Sequence, residues 1–311
     1  MILVTGGTGF LGKLLISQLS ELGYPVRTMI RPSPRTPDLP RQVPVEIAVT
    51  SLTDERGLRA AMLGVDTVYH LISSEWKGPR TSLMQVDIQG TRAVVQAALD
   101  SGVKRIFYVS HLGADRASAY PVLKAKGIAE EIIRRSELDY TIIRSALAYG
   151  PQDAFTSGIA GILQTVPYFF PLPGDGQTLL QPIWARDLVT CLAWSLDDRG
   201  TINRLYEIGG PEYFQFRQIV ELVMEKIQTR RRLLFIRPPY MRWLTYFLDA
   251  IIPNLPVSIY WLHYLAANRT CSLDTVSREF KLLPARFSQQ IDYLAGQNWR
   301  SNILKSIWLR D

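Results

Sequence analysis

The chain has 311 residues, of which 47% are hydrophobic and 20% charged, a balance typical of globular proteins with a sizeable core, and its length suggests two domains or one large domain with an extension. The formal net charge of +7 is spread along the chain, with one tight cluster at Arg230, Arg231 and Arg232. Because neither zinc-finger spacing nor an RNA-binding motif accompanies this charge, nucleic acid is excluded as an expected partner.

Targeting signals and cysteine usage indicate a location. The two cysteines, Cys191 and Cys271, lie far apart without a CxxC motif, which favours free thiols in a reducing compartment. No signal peptide is recognised at the start of the chain. No uncharged apolar run reaches the roughly 18 residues that a membrane span requires. The expected location is the cytoplasm, with peripheral attachment to a membrane left open.

The first half alternates predicted strands with predicted helices. The strands fall at 2–5, 26–30, 45–49, 65–72, 104–109 and 140–143, and the helices at 10–22, 54–63, 83–100 and 120–135, with Thr53 as the cap of the second. Repeated strand–helix units form right-handed crossovers around a parallel sheet. The predicted fold class is therefore α/β, a doubly wound parallel sheet of the Rossmann type, whose ligands lie beyond the carboxyl ends of the strands.

The second half is richer in proline and aromatic residues, and its alternation is irregular. Helices are predicted near 155–165, 185–196 and 216–227, and a strand at 205–208. We predict an NAD(P)-binding Rossmann domain over residues 1–150. Residues 151–311 are predicted to form a smaller, mainly helical capping domain that sets the substrate, with segments that return to the main sheet.

A glycine-rich turn joins the first strand to the first helix. The segment from Thr5 to Gly12 reads TGGTGFLG, in which Gly6 permits a tight turn, Gly9 a close approach of the backbone to a pyrophosphate and Gly12 close helix–sheet packing. The helix N-terminus then offers free N–H groups to phosphate. The residues expected to bind a dinucleotide here are Gly6, Thr8, Gly9, Phe10, Leu11 and Gly12.

The end of the second strand indicates which dinucleotide is bound. Enzymes that prefer NAD usually place an acidic residue there for the ribose hydroxyls, whereas this chain has Arg31, with Arg27 and Arg35 nearby and no acid before Asp38. A guanidinium suits a 2′-phosphate through paired charge-assisted hydrogen bonds. NADP(H) is favoured as cofactor over NAD(H); plain surface charge is the alternative explanation of these arginines.

A candidate catalytic pair follows the fifth strand. Tyr120 and Lys124 form a YxxxK motif, whose members share one face of a helix. A lysine beside a phenol lowers the phenol pKa and makes tyrosine a usable acid or base. Pro121 fits a first helical turn, but it biases Tyr120 towards an extended conformation. The alternative is that Lys124 only holds ribose hydroxyls and Tyr120 is a packing residue.

These motifs together resemble those of the short-chain dehydrogenase/reductase superfamily. Besides the glycine loop and YxxxK, the similarity is carried by VDTVYHL from Val65, DIQGT from Asp87, YVSHLGA from Tyr108, YGP from Tyr149, PIWARDL from Pro182 and YEIGGP from Tyr206. The resemblance is to the atypical and extended branches, including NmrA-like proteins. Within them, SHLGA and IGGPE resemble the NADPH-binding accessory subunit of mitochondrial complex I and its bacterial relatives.

The resemblance implies further site residues. Leu71, at the end of the fourth strand, is expected beside the cofactor, and Lys124 at its ribose. Active members carry a Ser or Thr just after the fifth strand to hydrogen-bond the substrate. Ser110 is the candidate here, with Ser118 and His111 as alternatives. Many members of the atypical group bind the cofactor without known turnover.

Other polar residues are interpreted as structural. His70 is expected to be a satisfied core residue, and Asp187 to cap the helix that follows it. Tyr149 and Ser145 are candidates for lining a nicotinamide pocket. The three histidines do not form a metal-binding set, so no metal is predicted.

The segment from Tyr240 to Tyr264 is rich in tyrosine and tryptophan. It is interpreted as the apolar face of the capping domain, or else as a surface that faces lipid or a partner protein. An apolar quinone-like substrate would also suit such a lining.

Several functions remain open from the sequence. One is an NADPH-dependent oxidoreductase, in which Tyr120 donates the proton to a small carbonyl, sugar-nucleotide or quinone-like substrate. Another is a non-catalytic NADPH-binding accessory or assembly factor of a membrane respiratory complex. A redox sensor is a third. A homodimer is compatible with each of them.

Overall fold

A seven-stranded parallel sheet forms the centre of the molecule. The structure, a computed structural model, describes residues 1–34, 36–75, 81–251 and 259–301, apart from the side chains of residues 249 and 250. Arg35, one of the arginines considered for the 2′-phosphate, lies outside the described residues. The strands are β1 (Ile2–Thr5), β2 (Val26–Ile30), β3 (Glu46–Val49), β4 (Thr67–His70), β5 (Arg105–His111), β6 (Asp139–Ser145), β7 (Ala148–Tyr149), β8 (Phe169–Pro173), β9 (Leu179–Leu180), β10 (Ile183–Trp184), β11 (Arg204–Ile208), β12 (Phe214–Gln215) and β13 (Arg232–Ile236).

The helices alternate with the strands through the first half. They are α1 (Phe10–Glu21), α2 (Glu55–Ala61), α3 (Gly90–Asp100), α4 (Pro121–Arg134), α5 (Thr156–Thr165), α6 (Ala185–Trp194), α7 (Phe216–Lys226), α8 (Pro238–Ile251), α9 (Ile259–Tyr264), α10 (Thr275–Phe280) and α11 (Phe287–Gln290). None of the helices in the described part of the chain is long and apolar enough to cross a membrane.

The order of strands in the main sheet is β11-β6-β5-β4-β1-β2-β3, and every pair in it is parallel. This order reverses between β1 and β4, and the crevice at such a switch point is where open α/β sheets bind ligands. The predicted doubly wound fold is confirmed. β11 comes from the second half of the chain and adds a strand beside β6.

Each face of the sheet is covered because successive side chains of a strand point to opposite sides. Leu3 and Val68 pack with residues of α2, α3 and α4 on one face, whereas Val4 and Tyr69 pack with residues of α1, α6 and α10 on the other. A third core, built around Phe155, lies mostly within the second half and includes Leu147 and Tyr149.

Local details differ from the predicted elements. Asp54, not Thr53, caps α2, and its carboxylate accepts a hydrogen bond from the Gly57 backbone N–H at 2.9 Å. The predicted helix 83–100 begins with a π-helical segment, Met84–Gln89, before α3. Asp187 does not cap α6, which starts two residues earlier at Ala185. Its carboxylate instead accepts the Ala285 backbone N–H at 2.7 Å.

Candidate functional site

The glycine loop after β1 is built as a dinucleotide cradle. Gly6 adopts a φ of +79°, and the Gly9 N–H donates to its carbonyl at 2.9 Å. A Cβ on Gly12 would lie 2.2 Å from the Gly6 carbonyl oxygen, so helix α1 packs against the loop as closely as only glycine permits. No side chain caps α1, which leaves its first N–H groups for a ligand. The loop therefore fits a pyrophosphate.

The strand neighbouring β1 completes the floor of this cradle. The Leu71 backbone N–H donates to the Thr5 carbonyl at 3.1 Å. A Cβ on Gly6 would lie 3.0 Å from the Leu71 carbonyl carbon. Leu71 thus lies directly beside the glycine loop, where the sequence comparison with dehydrogenases expects a cofactor contact.

Of Arg31 and Arg27, the two described arginines considered for a 2′-phosphate, only Arg31 has a side chain available to bind it. Arg31 is exposed immediately after β2. Arg27 is the second residue of that strand, and its guanidinium donates to Glu46 at 2.9 Å and to the Ala61 carbonyl at 2.7 Å. Arg27 is therefore engaged in holding β2, β3 and α2 together. Asp38 forms an ion pair with Lys13 of α1, so the negative charge of its carboxylate is neutralised within the protein.

His70 lies beneath the loop as a buried, neutral side chain. Its Nδ1 lies 2.8 Å from the Thr5 hydroxyl and its Nε2 3.1 Å from the Thr91 hydroxyl. Burial lowers the pKa of His70 to about 3. With both ring nitrogens partnered inside the protein, His70 braces β1 against β4 and α3 and is unsuited to bind a ligand.

A buried carboxylate and a buried amine face each other next to the cradle. Asp87, in the π-helical segment, accepts hydrogen bonds from Ser73 at 2.7 Å and from the Ser74 hydroxyl at 2.6 Å. The Lys126 amine lies 3.9 Å from it, with only 5% of the lysine side chain exposed, and donates to the Val109 carbonyl at 3.4 Å. The amine therefore lies beside the C-terminal part of β5, next to the segment that follows β4.

Lys126 remains charged in this position. Burial disfavours its ammonium form, but the surrounding Tyr108, Glu75 and Asp87 outweigh burial and raise the pKa of Lys126 above its ordinary value. The amine also lies 5.3 Å from the centroid of the Tyr108 ring, a favourable position for a cation. A fixed positive charge of this kind suits hydroxyl or phosphate oxygens of a ligand.

Tyr120 and Lys124 do not have the arrangement that the YxxxK motif predicts, in which both side chains share one face of a helix. Helix α4 starts at Pro121, and Tyr120 is its N-cap in extended conformation (φ −90°, ψ 120°), as the proline predicts. Lys124 is exposed, and Lys126, two residues later, is the lysine turned inwards. Among the described contacts none joins the Tyr120 phenol to the Lys124 amine; the Tyr120 ring lies 5.5 Å from that of His263.

The position one helical turn before Lys126 is Val122. Residues four apart share a helix face, and Val122 lines the same cleft as Tyr120 and His111. The side chain facing the site from that turn is therefore aliphatic, without a hydroxyl to exchange a proton.

The end of β5 presents histidine, not serine, to the cleft. Ser110 is fully buried, and its hydroxyl has no hydrogen-bond partner among the described residues. Ser118 accepts the Tyr120 backbone N–H at 3.1 Å. His111 lies in the cleft with its Nε2 2.5 Å from the Glu75 carboxylate. Its Nδ1 is buried and finds no hydrogen-bond partner in the described part of the protein.

Aromatic side chains from α9 close the cleft opposite His111. Tyr260, Trp261 and Tyr264 line it, and the rings of Tyr264 and His111 meet edge to face with centroids 6.0 Å apart. Burial raises the pKa of Tyr264, and burial together with Arg242 lowers the pKa of His263. The C-terminal part of the aromatic segment thus covers the site with an apolar wall.

The two residues considered after β6 lie in the core. Tyr149 is fully buried and packs between Trp184 and Phe287, with ring centroids 5.3 and 4.7 Å away. The Ser145 hydroxyl donates to the Ala146 carbonyl at 2.6 Å. Neither residue is among those that line the cleft.

Sequence reasoning missed three residues of this region. Asp87 is the first residue of the DIQGT segment and Lys126 lies two residues after the YxxxK motif, but the sequence pattern assigns neither of them to the site. Arg269, from the second half, is 5% exposed, and its guanidinium carbon lies 5.6 Å from the Tyr264 ring centroid. Gly113, in the loop after β5, has a φ of +79°, a conformation that favours glycine, and a Cβ there would also lie 2.6 Å from this guanidinium.

Comparison with known proteins agrees with this geometry. Residues 6–154 match the family model described as NAD(P)H-binding. The chain is 29% identical over 246 residues to NADH dehydrogenase [ubiquinone] 1 alpha subcomplex subunit 9, mitochondrial, of Arabidopsis thaliana, covering 76% of this chain and 60% of that protein. It is 25% identical to the photosystem II assembly factor Ycf39 of Cyanophora paradoxa, covering 71% and 67%.

Solved structures share the fold over nearly the whole chain. The triphenylmethane reductase of Citrobacter sp. superposes with a TM-score of 0.76 at 20% identity, covering 95% of this chain and 99% of that one. The chain spans about 60% of the length of several of the curated relatives it matches. The likeness to solved structures at this identity shows the fold alone.

Proposed function

We propose that this chain, whose residues 6–154 match the family model described as NAD(P)H-binding and which is similar to the complex I subunit and to Ycf39, binds NADP(H) and acts as a non-catalytic accessory or assembly protein of a membrane complex. The observation that carries this proposal is which residues helix α4 turns towards the site. The buried amine belongs to Lys126, and the residue one turn before it is Val122.

The binding part of the proposal rests on the cradle. The glycine loop and α1 N-terminus suit the pyrophosphate, Lys126 suits the ribose hydroxyls, and Arg31 suits the 2′-phosphate. When bound, NADPH supplies a hydride. A phenol beside the lysine would exchange the accompanying proton, but position 122 holds a valine and offers no such group. A cofactor held without turnover stabilises the fold by mass action and reports cellular NADPH through that stability.

Titration with the four dinucleotides tests the binding part. Isothermal calorimetry with NADPH, NADP+, NADH and NAD+ should show tighter binding of the phosphorylated pair. Arg31→Ser should reduce that preference by at least about tenfold, because one charge-assisted contact is worth roughly 1.5–3 kcal/mol. Arg56→Ser, at an exposed arginine of α2, is the matched control. Equal affinity of the wild type for NADPH and NADH would refute the NADP(H) assignment.

Complementation tests the accessory role. A strain lacking this chain should accumulate less of one membrane complex, visible on native gels. Tyr120→Phe and Lys124→Met should restore that complex fully, whereas Gly12→Ala, which closes the cradle, should not. The proposal fails if Tyr120→Phe retains NADPH binding and yet does not complement.

The cleft at His111 favours a second function, a reductase for an apolar ring-containing substrate such as a quinone. Glu75 would accept the Nε2–H of the His111 imidazolium, and the Nδ1–H of that imidazolium would donate the proton that accompanies hydride transfer from NADPH, leaving a neutral imidazole. His111→Gln should then abolish NADPH oxidation by a soluble quinone without changing NADPH affinity. NADPH that stays reduced with every quinone offered would rule this function out.

A further inference from the structure

Helix α8 turns an apolar face away from the core. Met241 and Thr245 are buried, whereas Tyr240 is 67% and Trp243 66% exposed. At about 100° per residue, Tyr240, Trp243 and Phe247 fall on the face opposite the buried one. The stacked rings of Trp243 and Phe247, whose centroids lie 5.5 Å apart, form a ridge along it.

The small two-stranded sheet whose second strand precedes α8 in the chain also carries exposed apolar side chains. β13 leads into α8 and pairs in parallel with β8. The exposed apolar side chains at this edge are Tyr168, Phe169, Leu234 and Phe235. Single exposed apolar residues are normal, but a cluster of this kind marks an interaction surface. We call the exposed side chains of β8, β13 and α8 the interfacial patch.

Exposed arginines occur in the same segment of the chain as the interfacial patch. Residues 228–248 contain five arginines and neither aspartate nor glutamate; Asp249 is the next acid. Arg230, Arg232, Arg237 and Arg242 are exposed, while Arg231 donates to the Val166 carbonyl. The apolar ridge is therefore flanked by cations with no acidic residue of this segment to neutralise them.

We propose that the interfacial patch lies on a bilayer surface that contains anionic phospholipid. Tryptophan and tyrosine favour the headgroup level, and arginine binds phosphate there. A 14-residue helix is about 21 Å long, shorter than the roughly 30 Å hydrocarbon core, so α8 lies in the plane of the membrane. A protein partner would need an acidic, apolar surface instead. This inference is independent of dinucleotide binding.

Vesicle flotation of the full chain tests the proposal. Phosphatidylcholine vesicles containing phosphatidylglycerol should bind the protein at least about tenfold more tightly than phosphatidylcholine alone, and added salt should weaken that binding. The triple variant Arg230→Gln, Arg232→Gln, Arg237→Gln should lose about tenfold or more in affinity for anionic vesicles. Trp243→Ser with Phe247→Ser should lose binding even at low salt.

Matched controls separate the patch from general charge and hydrophobicity. Arg56→Gln, Arg134→Gln and Arg204→Gln remove three other exposed arginines, and Trp194→Ser removes a tryptophan that is 45% exposed elsewhere. These variants should bind vesicles like the wild type. NADPH titration of each variant checks folding. Equal loss in patch and control variants, or binding to protein-containing membranes but to no lipid vesicle, would overturn the proposal in favour of a protein partner.

Discussion

The two lysines of α4 differ in what surrounds them. Lys126 is buried against Asp87, whereas Lys124 is exposed. Removing one partner of a buried pair leaves an uncompensated charge. Lys126→Met should therefore lower the free energy of unfolding by about 3 kcal/mol and weaken NADPH binding. Lys124→Met should change the stability by less than about 0.5 kcal/mol. Urea denaturation and NADPH titration of both variants measure this contrast. Comparable losses in the two would contradict the assignment of Lys126 to the cofactor.

His70 makes the stability of the protein sensitive to mild acid. Its pKa is lowered by burial from 6.5 to about 3 in the folded state, so the unfolded chain binds the extra proton first. This contribution is fully present above pH 6.5 and is lost as the pH falls towards 3. Between pH 6.5 and 5 it amounts to about 2 kcal/mol. His70→Gln removes this titration. Urea unfolding at both pH values should show a smaller loss for the variant; an identical loss would mean that His70 accepts a proton without unfolding.

At the scale of helices and strands, the sequence predicts the features that depend on neighbouring residues in the chain. The β1–loop–α1 unit follows from glycines at fixed spacing. The phase of α4 does not follow from spacing alone: Pro121 occupies the first helical position, Tyr120 lies outside the helix, and packing against β5 selects Lys126. Strand β8 is likewise hard to predict from its sequence, because it contains Pro171 and Pro173 and prolines normally argue against a strand. They are tolerated here because β8 is at the edge of a sheet. The role of Arg27 in joining β2 to β3 and α2 does not follow from the local sequence, because its partner Glu46 lies 19 residues away.

Helix α1 depends on the absence of a side chain at Gly12. A Cβ there would lie 2.2 Å from the Gly6 carbonyl oxygen, and backbone cannot move aside as a flexible side chain can. Gly12→Ala should therefore abolish the NADPH-induced thermal shift and destabilise the protein by about 1–3 kcal/mol. Ser20→Ala, on the same helix, is the control and should leave both unchanged. A normal thermal shift in Gly12→Ala would show that the loop does not contact the cofactor.

At the scale of the whole molecule, side-chain contacts between residues far apart in sequence join the second half to the dinucleotide-binding sheet. Arg144 of β6 donates to Glu130 of α4 at 2.8 Å and to Glu207 of β11 at 3.2 Å. Arg105 of β5 donates to Thr201 at 2.6 Å. These links place β11 as the seventh strand of one sheet. Stability gained at the glycine loop is therefore expected to reach the second half.

NADPH should accordingly raise the melting temperature of both halves together. At a hundredfold excess over its Kd, a ligand stabilises by about 2.7 kcal/mol, which corresponds to roughly 5 °C for a protein of this size. The variant Trp76→Phe leaves six tryptophans, all after residue 150, so its fluorescence reports on the second half. Its fluorescence midpoint should rise with NADPH as much as the midpoint followed by circular dichroism. If fluorescence stays fixed while circular dichroism shifts, the second half unfolds independently, and a cofactor-dependent signal could not pass from the glycine loop to the interfacial patch.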